Sequence, residues 1–326
     1  MIFLHINFQA MKILQNFFET ILIKILDIAP SKFIKHCLFL IKQHPNLTDK
    51  LGYHIRPIHY YEPLPNFQKI TSEQIKRKRN LSHINFNIES QLKNITQLGA
   101  KYKPELDVLA ITKEPIKFDF QNNYFSSLDA CLYYALIRNL KPNKIIEIGS
   151  GYSTQIAAKA LTQNKMEGYS YDLSCIEPYP QPRLTDAKIE INLIEKCVED
   201  VNLDLFTSLE ANDILFIDSS HTVSFNNDVF YEFFEILPNI KSGVWIHIHD
   251  IFFPHDYPAE WLTEKRIAFN EQYFLEAFLI FNDCFSVKFA NYWLQLKHQD
   301  IVLSLCPQEV IRQGYLGGSS FWMLRN

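Results

Sequence analysis

The sequence predicts an α/β protein: a doubly wound, seven-stranded, mostly parallel sheet with a helical N-terminal region. Three observations predict it. From residue 125 onward, short apolar runs alternate with helical periodicity, the pattern of parallel strands joined by crossover helices. A tight glycine pair, Gly149 and Gly151, lies between one such run and the next helix. Before residue 125 the periodicity is helical, with little strand. The expected division is a helical cap region at 1–124 and the sheet domain at 125–326.

Residues 1–43 read as helical. Residues 44–70 carry Pro45, Pro57, Pro63 and Pro65 among aromatics and histidines and read as ordered loop or short strand. Thr71 followed by Gln74 is a capping box opening a short basic helix, IKRKRN, with a solvated face. Ile88, Leu92, Ile95 and Leu98 recur at helical spacing over 87–102. In the sheet domain, helices are expected at 125–140, 152–161, 226–237 and 267–281. Strands are expected at 144–148, 170–176, 189–194, 213–217, 243–249, 285–290 and 320–324. The last two strands show no obvious helix between them, so an antiparallel edge pair is expected.

Composition narrows the function. The chain has 326 residues, 47% hydrophobic and 21% charged, enough apolar matter for a large core. Lys and Arg total 32 against 36 Asp and Glu, so no broad basic field exists for nucleic acid. The six cysteines form no CxxC pair, which suits free thiols in a reducing, cytoplasmic setting and argues against structural zinc. The N-terminus is apolar, but Lys12, Glu19, Lys24 and Asp27 interrupt it, so neither a transmembrane span nor a signal peptide is expected. Residues 13–29 fit an amphipathic helix that packs on the protein; a peripheral membrane contact through 11–29 or a homo-oligomer contact stays open.

There are only nine glycines, where average usage gives roughly 23. The GxG at 149–151 is therefore hard to dismiss as background. It stands in Glu147-Ile-Gly149-Ser150-Gly151-Tyr152-Ser153-Thr154, after a buried strand and before a helix. Glycine there lets the backbone turn and approach a ligand at the carboxyl ends of the strands. A dinucleotide fingerprint wants Gly or Ala where Thr154 stands, and no GxxxxGK is present. Glu147 is expected to face the ligand, which suits a cationic amino-acid moiety better than a pyrophosphate. Glu177 ends the next strand, where a carboxylate accepts from ribose hydroxyls. A nucleoside joined to an amino acid satisfies both: S-adenosylmethionine.

With these residues in place the sequence resembles a class I S-adenosylmethionine-dependent methyltransferase, and more narrowly a bacterial group related to methyltransferase family 24. The matching stretches are IIEIGSGYST (145–154), CIEPYP (175–180), ANDILFIDSSHT (211–222), VWIHIHDIF (244–252), NEQYFLEAFLIFND (270–283) and GGSSFWM (317–323). The resemblance implies a Rossmann-like methyltransferase fold over about 120–326 and cofactor contacts at Glu147, Gly149 to Thr154, Glu177 and Asp218. The related catechol-type O-methyltransferases hold magnesium with an acid matching Asp218 and a pair matching His249-Asp250. A base three residues after the first acid deprotonates their acceptor, and His221 takes that place. The resemblance thus implies His221 as general base, with Asp218 and Asp250 beside it and Asp218, His249 and Asp250 as ligands of a divalent cation. Magnesium favours oxygen, so His249 suits a softer ion better. His247 reads as a buried structural histidine, and Asn270 as a helix cap or acceptor contact. The expected reaction is O-methylation of a small-molecule hydroxyl, on a sugar or glycan precursor by family association. The alternatives are a nicotinamide-dependent oxidoreductase or a non-catalytic nucleotide-binding protein on the same scaffold.

Overall fold

The computed structural model describes residues 24, 28–52, 54–112, 118–125, 127–185, 190–314 and 316–326. Of the amphipathic segment 11–29, all but residues 24, 28 and 29 lie outside the described residues.

The sheet has seven strands: β1 (Lys144–Ile148), β2 (Asp172–Ile176), β3 (Asn192–Ile194), β4 (Ile214–Ile217), β5 (Trp245–Ile248), β6 (Phe285–Ala290) and β7 (Phe321–Arg325). Their order is β3-β2-β1-β4-β5-β7-β6. The first five strands are mutually parallel, and β7 runs antiparallel to both neighbours, β5 and β6. This is the Rossmann-like methyltransferase fold.

Alternation along the strands builds two cores. Ile145, Leu173, Ile214 and Phe216 point to one side, against helices Ser127–Leu140, Tyr152–Met166 and Ile88–Ile111. Ile146, Ile148, Ile176, Leu215 and Ile217 point to the other, against Phe206, Phe233, Ile236 and Leu275. Because both faces are covered, the central strands read as continuous apolar runs rather than alternating ones. Helix Ser127–Leu140 has 12 of its 14 residues buried, so it is a core element and not a surface helix.

Four differences from the expected layout have physical causes. The compact unit that holds the sheet spans Phe67–Asn326, so it takes in residues ahead of 125, and the described residues before Phe67 fall in another unit. Helix Ile88–Ile111 belongs to the sheet unit because its buried Leu98, Tyr102 and Leu106 join the first core. Glu105 also accepts from Tyr134 Oη at 2.8 Å and from Arg138 Nε at 2.8 Å. Second, the capping box at Thr71 forms, but its helix stops at Lys76. Arg79, beyond it, is no solvated helix face: it pairs with Glu276 and with Asp256. Third, Pro45–Leu51 is a helix within the expected loop, with Pro at its first turn and Gly52 left-handed at its end. Fourth, three short helices, Asn291–Lys297, Gln299–Leu303 and Gln308–Gln313, separate β6 from β7. His298 and Pro307 interrupt their periodicity, which hid them in the sequence.

The register delivers the site. The residue after each of four strands continues the ladder: Glu177 N–H donates to Ile194 O, Gly149 to Ile176 O, Asp218 to Ile148 O, and His249 to Ile217 O. Those bonds set Glu177, Gly149, Asp218 and His249 side by side along the carboxyl edge. The strand order reverses between β1 and β4, so the row straddles the switch point where such sheets bind ligands.

Candidate active site

A cavity of about 490 Å³ opens on this row, within the usual size of small-molecule sites. Gly149, Glu177 and Asp218 line it, together with Ile148, Ile176 and Tyr179. Cys197 to Glu199 after β3, and Asn227 and Asp228 after β4, complete the wall. The sequence reading missed these last five. The only signal for Cys197 to Glu199 was their place just past β3, and for Asn227 and Asp228 their place at the start of the helix after β4.

Gly149 has φ +78, and a Cβ there would meet the Asp218 carbonyl oxygen at 1.9 Å. The close approach expected of this glycine is first to β4, not only to a ligand. Gly151 meets nothing within 4 Å of such a Cβ, so the space above it is open. Glu177 accepts from Ser150 N–H at 3.3 Å and Tyr179 N–H at 2.9 Å, which ties the glycine loop to β2.

Glu147 departs from expectation. It is fully buried and is absent from the cavity lining, so it does not face the ligand space. Alternation explains this: Ile146 and Ile148 point to the second core, and Glu147 points to the other side, with Tyr133. Its Oε2 accepts from Thr154 Oγ1 at 2.6 Å, and Thr154 Oγ1 accepts from Gly151 N–H at 3.1 Å. Thr154 and Glu147 therefore brace the loop from below, and Ser153 and Thr154 are buried with them. Tyr152 packs on Phe118 and Tyr124 and is likewise absent from the cavity lining. Burial pushes the Glu147 carboxyl up to about 7 against the opposing hydrogen bonds from Thr154 and Tyr133. A carboxyl with a raised folded pKa favours folding below the unfolded value of about 4.5 and loses that contribution as pH climbs to about 7. The melting temperature of Glu147→Gln relative to wild type is thus expected to rise between pH 4.5 and 7 and level off above. A constant difference across that window would refute the raised value.

Asp218 connects the cavity to a second cluster. Its Oδ1 lies 3.4 Å from His221 Nε2 and 3.3 Å from His249 Nδ1. Asp250 closes the group, with Oδ2 3.6 Å from His221 Nε2 and Oδ1 3.7 Å from His249 Nδ1. The four residues expected at the catalytic end are therefore brought together. His221 and Asp250 both have left-handed backbones, φ +58 and +56, a strain tolerated where surrounding contacts fix it. The backbone N–H groups of Asn270 and Glu271 donate to His221 O, at 3.0 and 3.2 Å, and hold that turn. The Asn270 side chain does not cap its helix; it accepts from Val223 N–H.

Three partners of the cluster were not read from the sequence as site residues. Glu271, fully buried, has Oε2 2.8 Å from His221 Nδ1. Asp129 lies 3.5 Å from His249 Nε2 and accepts from Ser319 N–H, Ser320 N–H and Asn291 Nδ2. Ser319 Oγ donates to Asp250 Oδ1 at 3.0 Å. Asp129 had a signal: a lone acid inside the apolar run SLDACLYYALI is rarely left unpaired when buried.

Charge follows from this packing. Burial opposes a charged His221, but the hydrogen bonds to Asp218 and Glu271 and the nearby carboxylates outweigh it and hold its pKa well above the usual imidazole value. His249 is raised in the same way by Asp218, Asp250 and Asp129. Burial pulls the Asp218 pKa upward, yet the two imidazoles outweigh it and hold the acid well below the usual carboxylate range. These contacts favour the protonated form of both rings, and a protonated His221 accepts no further proton. His247 is the buried structural histidine expected: its Nε2 bonds Ser320 Oγ at 2.8 Å, it stacks on Phe216, and burial keeps it neutral. Among the described residues, no group of three or more His, Cys, Asp or Glu stands ready-made as a metal centre.

Residues 146–251 match the model of methyltransferase family 24, described as a methyltransferase domain. The sheet order and the family match together place the chain among the class I S-adenosylmethionine-dependent methyltransferases. An uncharacterized protein of Archaeoglobus fulgidus is 34% identical over 168 residues, spanning 48% of this chain and 75% of the relative. A solved structure described as a putative protein-L-isoaspartate O-methyltransferase of Plasmodium falciparum, in complex with S-adenosyl-L-homocysteine, overlaps at a TM-score of 0.28 and 15% identity. That overlap covers 49% of this chain and 83% of the other, and one this loose carries no functional weight.

Proposed function

We propose that this methyltransferase binds S-adenosylmethionine between Gly149, Glu177 and Asp218 and transfers its methyl group to the hydroxyl of a small molecule. The observation that carries the reading is the position of Asp218, which both lines the cofactor cavity and touches His221 and His249. In the reaction the acceptor oxygen attacks the methyl carbon as the carbon–sulfur bond breaks, and that electron pair goes to sulfur. The hydroxyl proton goes to His221 Nε2. For this the ring must enter the step neutral, any proton on Nε2 having passed to solvent water before the acceptor binds. The sulfonium adds a positive charge beside Asp218, which lowers the imidazole pKa and frees the ring as a base. Glu271 on Nδ1 keeps Nε2 as the nitrogen that faces the acceptor. Phe269, 4.9 Å from the His221 ring, and Trp261, 5.6 Å beyond it, offer an aromatic wall to a ring-shaped acceptor such as a sugar.

A second reading adds a divalent cation. Asp218, His249 and Asp250 would hold it, displacing the His249 proton. What supports it is His249 Nδ1 standing 3.3 Å from Asp218 Oδ1 and 3.7 Å from Asp250 Oδ1, near the separation of about 3.4 Å between donors about 2.1 Å from a tetrahedral cation. The imidazole suits zinc or manganese better than magnesium, and the ion would stabilise a developing alkoxide.

Methyl-labelled donor offered to a panel of sugars, polyols and catechols tests both. An O-linked methyl in the product, formed equally with a chelator present, is the result expected of the first reading. Loss on chelation with recovery on adding zinc or manganese favours the second. A product methylated only on nitrogen or carbon contradicts both.

A further inference from the structure

The segment from residue 28 to 66 differs from the rest of the chain in two independent ways. The first is exposed apolar surface. Among the described residues, nine of the 21 large hydrophobic side chains that stand exposed fall between Ile28 and Leu64. Helix Ser31–Lys42 buries none of its 12 residues. At about 100° per residue, Leu40, Phe33, Cys37, Ile41, Ile34 and Leu38 form one apolar arc about 160° wide. Such an arc ordinarily packs against a core. Here Phe33 is 62% exposed, Leu38 44% and Leu40 48%.

The second is charge. Residues 28–66 carry five Lys and Arg against two Asp and Glu, whereas residues 67–326 carry 25 against 32. The helix holds Lys32, Lys35 and Lys42 and no acid. Lys35 and Lys42 lie next to Leu38 at one border of the arc, and Lys32 lies beyond the other. His59, Tyr60 and Tyr61 cluster nearby in sequence, with Tyr60 79% and Tyr61 80% exposed.

We propose that residues 28–66 dock the protein on the surface of an anionic phospholipid bilayer. The helix lies in the headgroup plane, its apolar arc inward and its lysines among the lipid phosphates. The tyrosines suit the same depth, with an apolar ring and a polar tip. Charge selects this occupant over a second copy of the chain, because a self-paired interface would set two net-positive segments face to face. No helix among the described residues is long and apolar enough to cross a membrane, so the contact is peripheral.

Co-sedimentation of the full chain with phosphatidylcholine vesicles, with and without phosphatidylglycerol, tests this. The expected result is binding that needs phosphatidylglycerol and weakens with salt. Phe33→Glu with Leu40→Glu abolishes it. Lys35→Glu with Lys42→Glu weakens it at least about tenfold. Both pairs lie on exposed positions, and unchanged melting temperature and S-adenosylmethionine affinity confirm that they fold. Absence of vesicle binding, equal binding to both lipids, or binding indifferent to the four substitutions overturns the proposal. So does a dimer by light scattering that Phe33→Glu with Leu40→Glu dissolves.

Discussion

Gly149→Ala is expected to destabilise the protein by about 2 to 5 kcal/mol and to remove S-adenosylmethionine binding. Two costs add. An alanine in the left-handed region costs about 1 to 2 kcal/mol. Its Cβ would also stand 1.9 Å from the Asp218 carbonyl oxygen, a backbone atom that cannot swing aside as a side-chain tip can. Forced overpacking of this kind costs about 1 to 3 kcal/mol or more. The clash lies between the ends of β1 and β4, so any relief moves Asp218 and, through it, His221 and His249. Gly151→Ala is the control. Nothing lies within 4 Å of the added carbon, so no clash pushes the ends of β1 and β4 apart, and Asp218 should keep its place. Thermal melts and donor titrations of the two variants check this. A Gly149→Ala protein that melts and binds like wild type would show that the loop does not approach β4 as described.

His221→Ala is expected to lower turnover by about 10² to 10⁴-fold, the usual contribution of a positioned general base. Donor affinity should change little, because His221 is absent from the cavity lining. The substitution also leaves buried Glu271 without its imidazole. His221→Asn, which keeps an amide donor, separates this structural cost from the chemical one. If turnover on an identified acceptor survives in both variants, His221 is not the base.

The parts legible in the sequence were those carried by local pattern. Alternating runs gave the parallel strands, and IIEIGSGYST placed a loop at the end of β1. The strand-end acids Asp218 and Asp250 and the histidines His221 and His249 converge because each follows a strand on the same edge of the sheet. What local pattern could not show was direction and tertiary pairing. Glu147 looked like a ligand contact because it precedes the glycines, but the strand period turns it away, beneath the loop. Asp129 and Glu271 meet the histidines only after the chain has folded, across 120 and 50 residues respectively. Helix Ile88–Ile111 was read correctly as a helix, yet nothing in its spacing told that Glu105 would bond Arg138 and join it to the sheet unit. The helices between β6 and β7 are each too short for sustained periodicity.

The central claim is that the cavity beside Gly149, Glu177 and Asp218 is a methyl-donor site. Calorimetric titration of the wild-type chain with S-adenosylmethionine, S-adenosylhomocysteine and NAD tests it most directly. Saturable binding of the first two, with no heat from NAD, is the predicted result. Binding of NAD without a response to either adenosyl compound would contradict the account.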